Sequence, residues 1–246
     1  MDLRSRVLHH LATPHAETRF GYSYLVGSVS RSASCRPHEV WEALWGLVGE
    51  GLVYLDPDIQ GSGTDNWHWR LSAVGIQATS GGTWEPRDPE GYLKRLRTYS
   101  PAVDPLAINY VEEALRAFNA RCFLATSVML GVASERAVGV LALSAVDALD
   151  ERAGKLATVL QNPKSSQVVR FTELRKLLEP LRPELPVGTA DTLTLDAVAD
   201  LLRITRNDAG HPTGARIDED TAYTHLQIAA RYLQKMAVLQ NHFENP

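Results

Sequence analysis

The chain has 246 residues, 44% of them hydrophobic and 22% charged, with a formal net charge of −4. That length and composition suit a globular protein with a real core, in one large domain or two small ones. The charge excludes a global basic field of the kind that announces a nucleic-acid binder. Two cysteines, Cys35 and Cys122, cannot build a disulfide framework or a zinc site alone, and they suit a reducing cytoplasm. The N-terminal stretch has no long apolar core and does not read as a signal peptide. In chain order, Asp2 caps a first helix through Leu3, Val7, Leu8 and Leu11. A short second helix spans Tyr22 to Val29. Pro37 opens a third, with Val40, Trp41, Leu44, Leu47 and Val48 at helical spacing and Gly49-Glu50-Gly51 as its stop. The period then changes. Leu52 to Asp56 reads as a strand, a glycine-rich loop follows, and Trp67 to Ser72 reads as the returning strand.

Helix, helix, helix, hairpin is the order of a winged-helix domain. The segments LVGEGLVYLD and WHWRLSAVG resemble the third helix and wing of that family, including a Leu-Ser-x-x-Gly step after the wing strand. The resemblance implies a recognition helix for the DNA major groove, but residues 1–85 hold 6 Arg, no Lys and 9 Asp plus Glu, net −3. Affinity for DNA comes largely from phosphate neutralisation. Residues 1–82 are therefore expected to recognise a partner protein or to dimerise, with DNA a less favoured partner. Residues 83–104, rich in proline and glycine around Lys94, Arg95 and Arg97, are expected as a linker, with room for a short helix from Tyr92 to Tyr99.

Residues 105–246 read as helix throughout. Leu106, Tyr110, Ala114, Leu115 and Phe118 form one apolar stripe. Phe123 to Ala153 follows as one long helix or two joined near Gly131. Its small residues allow close helix approach and mark it as central. Glu135 and Arg136 split its apolar part into uncharged runs too short to span a bilayer. Further helices are expected at Lys155–Gln161, Gln167–Leu181, Thr192–Asn207 and Asp218–His242. The predicted fold is mainly α: an N-terminal winged helix followed by an all-α bundle.

The stretch LLRITRNDAGHP, Leu201 to Pro212, closes an amphipathic helix. Gly210 suits a helix stop, and Pro212 holds His211 extended. Arg206 and Asn207 then sit on the last turn, with His211 just beyond. This Arg-Asn-x-x-x-His pattern resembles the motif of HEPN domains, the helical bundles of many prokaryotic defence and toxin ribonucleases. Tyr110 to Leu149 is similar to the first helices of one HEPN branch, with Gly131 and Glu135 filling its Gly-x-x-x-Glu step. The resemblance covers about residues 105–240. It implies a metal-independent, cofactor-free endoribonuclease that leaves 2′,3′-cyclic phosphate ends. It also implies a homodimer with RNA as substrate, and a defence-system or antitoxin partner. No membrane partner is expected, and a cytoplasmic location is expected.

The implied catalytic residues are Arg206, Asn207, His211 and Glu135. Histidine titrates near neutrality and can move a proton. Arginine binds phosphate bidentately, and Asn207 can hold either group by hydrogen bonds. The same residues also read as an ordinary helix C-terminus, where a cation and an amide are welcome. For Glu135 two readings stand: it orients the Arg206 cluster, or it forms a structural ion pair. No Walker A, Gly-x-Ser-x-Gly, His-Glu-x-x-His or Cys/His metal spacing occurs. Gly61-Ser62-Gly63 lies in the wing loop without a following helix and makes a poor phosphate cradle.

Overall fold

A computed structural model describes residues 2–13, 21–56, 58, 67–191, 195–196 and 216–245. The molecule is mainly helical, with one two-stranded sheet among the described residues. It divides into two compact units, Met1–Tyr92 and Leu93–Pro246. The wing-loop glycines and the helix expected over Thr192–Asn207 lie outside the described residues, apart from Leu195 and Asp196.

In the first unit, helix α1 (Leu3–Ala12) starts where the Asp2 side chain accepts the Ser5 N–H at 2.7 Å. Helix α2 (Gly21–Ala33) is longer than its apolar residues suggest, and α3 spans Pro37–Gly49. The end of α3 is a Schellman stop. Gly51 takes a left-handed φ of 73°, its N–H reaches Val48 O at 2.9 Å, and the Leu52 N–H reaches Leu47 O at 2.9 Å. Strands β1 (Val53–Leu55) and β2 (Trp69–Leu71) pair antiparallel, Val53 opposite Leu71 and Leu55 opposite Trp69. Val53 and Trp69 turn into a core that includes Val7, Val40, Leu44 and Leu47, while Tyr54 and Arg70 face out. Helix α4 (Ala73–Ser80) follows at once.

The Leu-Ser-x-x-Gly step has a physical reason here. Ser72 caps α4 by accepting the Gly75 N–H at 3.0 Å, and its hydroxyl donates to Gly51 O at 2.6 Å. A Cβ on Gly75 would lie 2.0 Å from the Leu52 carbonyl oxygen. Only glycine lets the helix start this close to β1.

The stretch 83–104, expected as a linker, is folded. Helix α5 (Pro89–Arg97) occupies its middle. Trp84 and Tyr92 are buried and meet edge to face with centroids 5.1 Å apart. Glu85 and Arg87 are buried as a pair at 3.5 Å. Proline and glycine density marked the turns and hid the apolar anchors between them.

In the second unit, α6 (Pro105–Asn119) and α7 (Phe123–Leu149) form a helical hairpin. Its turn places Arg121 at a left-handed φ of 59°. Helix α7 is continuous through Gly131 and passes by a 3₁₀ turn, Asp150–Ala153, into α8 (Gly154–Gln161). Helix α9 spans Gln167–Leu178 and α10 spans Glu219–Glu244. Helix α7 packs against both α6 and α10, burying Ala133, Ala137, Leu141, Ala142 and Ala145.

A polar ladder joins α7 to α10. Ser127 meets His225 Nδ1 at 3.1 Å, Ser134 meets Tyr232, and Ser144 donates to Glu244 at 2.9 Å. Seven residues separate the first two rungs on both helices, so α7 and α10 run parallel with heptad spacing. By length and composition, Phe123–Gln161 is apolar enough to cross a membrane, but half of its most apolar window is buried inside the protein. Those small apolar residues serve helix packing.

Candidate functional site

Of the four residues the sequence puts forward, Glu135 lies among the described residues, and Arg206, Asn207 and His211 lie outside them. Glu135 and Arg136 are consecutive on α7, so about 100° of rotation separates their side chains. They have different fates. Arg136 makes a two-pronged ion pair with Asp104, Nε to Oδ1 at 3.0 Å and Nη2 to Oδ2 at 2.9 Å. Asp104 is also the N-cap of α6, accepting the Ala107 N–H at 2.9 Å. Burial raises the Asp104 carboxyl, but the Arg136 hydrogen bond and the backbone donors outweigh it and hold it below the ordinary value. The structural ion pair weighed for Glu135 therefore belongs to Arg136.

Glu135 faces a cleft of about 410 Å³ within the second unit. The helix periods explain its lining. Glu135, Gly139 and Leu143 form one stripe of α7, Leu106 and Tyr110 are one turn apart on α6, and Gln167 and Arg170 are one turn apart on α9. Leu160 of α8 and Val132 of α7 add apolar surface. Among the described residues Glu135 has no hydrogen bond or ion pair. Burial raises its carboxyl above the ordinary 4.5, and the attraction of Arg170 only partly offsets this. Arg170 Nε is itself buried without a hydrogen-bond partner. A carboxyl and a guanidinium Nε–H that lack hydrogen-bond partners among the described residues thus line one cleft. Sequence reading missed Arg170, Tyr110 and Gln167, because α6 and α9 were read for their apolar stripes alone. The signal was available in the Gln167/Arg170 spacing, but nothing in sequence tied it to α7.

Two other arrangements are chemically weaker. Ser127 and His225 have the pairing of a nucleophile and its base, but Ser127 is fully buried and closed to substrate. In the first unit, Trp41, Trp45, Trp67 and Trp69 meet edge to face with centroids 5.4 to 6.2 Å apart. Rings that close fill the space between them and leave no cage for a ligand. Trp45, Tyr54 and Ile76 stay exposed on this unit. No group of three His, Cys, Asp or Glu that suits a metal ion occurs among the described residues. No family model, curated protein or solved structure matches the chain.

Proposed function

We propose that the chain is a metal-independent endoribonuclease of the HEPN kind, acting as a homodimer on RNA. The observation that carries this reading is the sequence pattern Arg206-Asn207-x-x-x-His211, with His211 set between Gly210 and Pro212. Support comes from the mainly helical second unit, whose long α7 carries Gly131 and Glu135 at the spacing of the HEPN branch it resembles. In this reading His211 moves the proton of the attacking 2′-hydroxyl, and Arg206 offsets charge on the phosphoryl oxygens. Asn207 orients one or the other. The products are a 2′,3′-cyclic phosphate and a 5′-hydroxyl. The test is RNA incubated in EDTA with wild type and His211→Ala, with the cleaved ends analysed. Wild type is expected to leave cyclic phosphate ends and the variant to lose cleavage by roughly 100-fold or more. Cleavage that needs added metal, or that survives the substitution unchanged, overturns the reading.

A second reading is favoured by the first unit's net charge of −3 over residues 1–85 and its exposed Trp45, Tyr54 and Ile76. In it, a winged-helix module binds a partner protein, such as an antitoxin or another defence component. Salt-sensitive duplex binding that Arg31→Ala and Arg36→Ala abolish would point to DNA instead.

A further inference from the structure

We propose that the α6–α7–α8–α9 cleft binds a free α-amino acid with an aliphatic side chain. The proposal stands on the described residues of the second unit; it gives Glu135 a ligand-binding role in place of the catalytic one the resemblance implies, and it needs none of Arg206, Asn207 and His211.

The occupant is defined by what the cleft leaves unsatisfied. Glu135 and Arg170 both line it, and they do not form an ion pair with each other. Arg170 Nε is buried and lacks an acceptor. Arg136, the other cation of the lining, is already engaged by Asp104. A simple anion would satisfy Arg170 and be repelled by Glu135, and a simple cation would do the reverse. The occupant therefore carries a cation and an anion side by side. An α-ammonium on Glu135 and an α-carboxylate on Arg170 meet that demand with charge-assisted hydrogen bonds. Together Glu135, Arg136, Arg170 and Asp104 carry no net charge, which suits a zwitterion.

The apolar part of the lining includes Leu106, Val132, Leu143 and Leu160, with Leu106 and Leu143 43% and 56% exposed. These are aliphatic surfaces for an aliphatic side chain to cover. Among the described lining residues Tyr110 is the one aromatic ring, so the apolar part of the lining is aliphatic rather than a stacking platform for bases. A volume of about 410 Å³ is at the small end for ligand sites, in keeping with a small metabolite. Gly139 completes the argument. A Cβ there would meet nothing within 4 Å, so this helical glycine opens directly onto free space in the cleft.

Titration calorimetry on the full chain with L-leucine tests the proposal, with leucinamide lacking the carboxylate and 4-methylpentanoate lacking the amine. Saturable leucine binding is expected, with each analogue weaker by roughly 10- to 100-fold, the range of one charged hydrogen bond. Arg170→Gln should weaken leucine but not leucinamide, which loses only a like-charge repulsion. Glu135→Gln should weaken leucine but not 4-methylpentanoate, which loses only a like-charge repulsion. Gly139→Leu should abolish binding by filling the cleft while leaving the helical circular dichroism intact. Absence of leucine binding, analogues that bind as well as leucine, full binding by Gly139→Leu, or tighter binding of guanosine than of leucine each overturns the proposal.

Discussion

Three single residues carry opposite consequences of the same physics, the space and solvent around one side chain. Gly75 has no room: its Cβ would press on the Leu52 carbonyl at the start of β1. Gly75→Ala is expected to destabilise by about 2–3 kcal/mol in urea denaturation, as overpacking against backbone does. Gly139 has open space on a regular helix, so Gly139→Ala is expected to stabilise by about 0.5–1 kcal/mol in the same assay, since glycine is a poor helix interior residue. From sequence these two glycines look alike. What separates them is a carbonyl 23 positions away in one case and a cleft in the other, and neither is local information. Glu135 differs in pH dependence. Burial raises its carboxyl above 4.5, so between that value and the raised one the native chain holds a proton that the unfolded chain has lost. Stability therefore falls as pH rises through that window, and the cost is complete above it. Glu135→Gln should melt higher than wild type at pH 7, by less than about 4 °C for a half-exposed group. The difference should vanish below about pH 4. A wild type that melts higher at pH 7 would show that a cation outweighs the burial.

At the scale of elements, the α7–α10 ladder gives an unequal pair of substitutions. Ser134 and Tyr232 are buried and bonded to each other, and burial raises the Tyr232 phenol well above its ordinary value. Ser134 also donates to Leu130 O at 2.6 Å, one turn back on its own helix. Tyr232→Phe leaves Ser134 with that partner and should cost about 1 kcal/mol. Ser134→Ala strands a buried phenol hydroxyl and should cost about 1–3 kcal/mol. Equal losses in urea denaturation would refute this account. Most elements were legible because their apolar periods are strong and their caps are explicit: Asp2, Ser72, Asp104 and Asp218 each accept a backbone N–H at a helix start. The ladder was not legible. Ser144 reads as one more small residue that allows close approach, nothing in the sequence singles out Ser127 or Ser134, and the partners of all three lie about 100 positions away on α10. Helix α5 was underestimated for a related reason, since Trp84 and Tyr92 pair across turns that composition alone reads as linker.

At the scale of the whole molecule, the proposed reaction predicts an assembly. Residues 86–246 hold 19 Lys plus Arg and 20 Asp plus Glu, so the net charge is −1 and attraction to RNA must come from local clustering. One Arg206 and one His211 make a thin site, whereas two copies facing one groove double the cations and supply separate groups to bind and to protonate. Read from sequence, the small residues from Gly131 to Ala145 also suit a close-packed two-fold contact for such a dimer. That expectation needs correction, because Ala133, Ala137, Ala142 and Ala145 are buried within the unit against α6 and α10. A two-fold contact through this span is therefore left with its outward side, where Leu143 is 56% exposed. Light scattering should still give a mass near twice 27.1 kDa at micromolar concentration. The sharper experiment mixes two inactive chains, Arg206→Ala and His211→Ala, after dissociation and reassembly. If Arg206 of one chain works with His211 of the other, the mixture regains cleavage that neither parent shows, and added salt weakens RNA binding as phosphate contacts are screened. A mixture that stays inactive while each parent still dimerises would mean that each chain completes its own site.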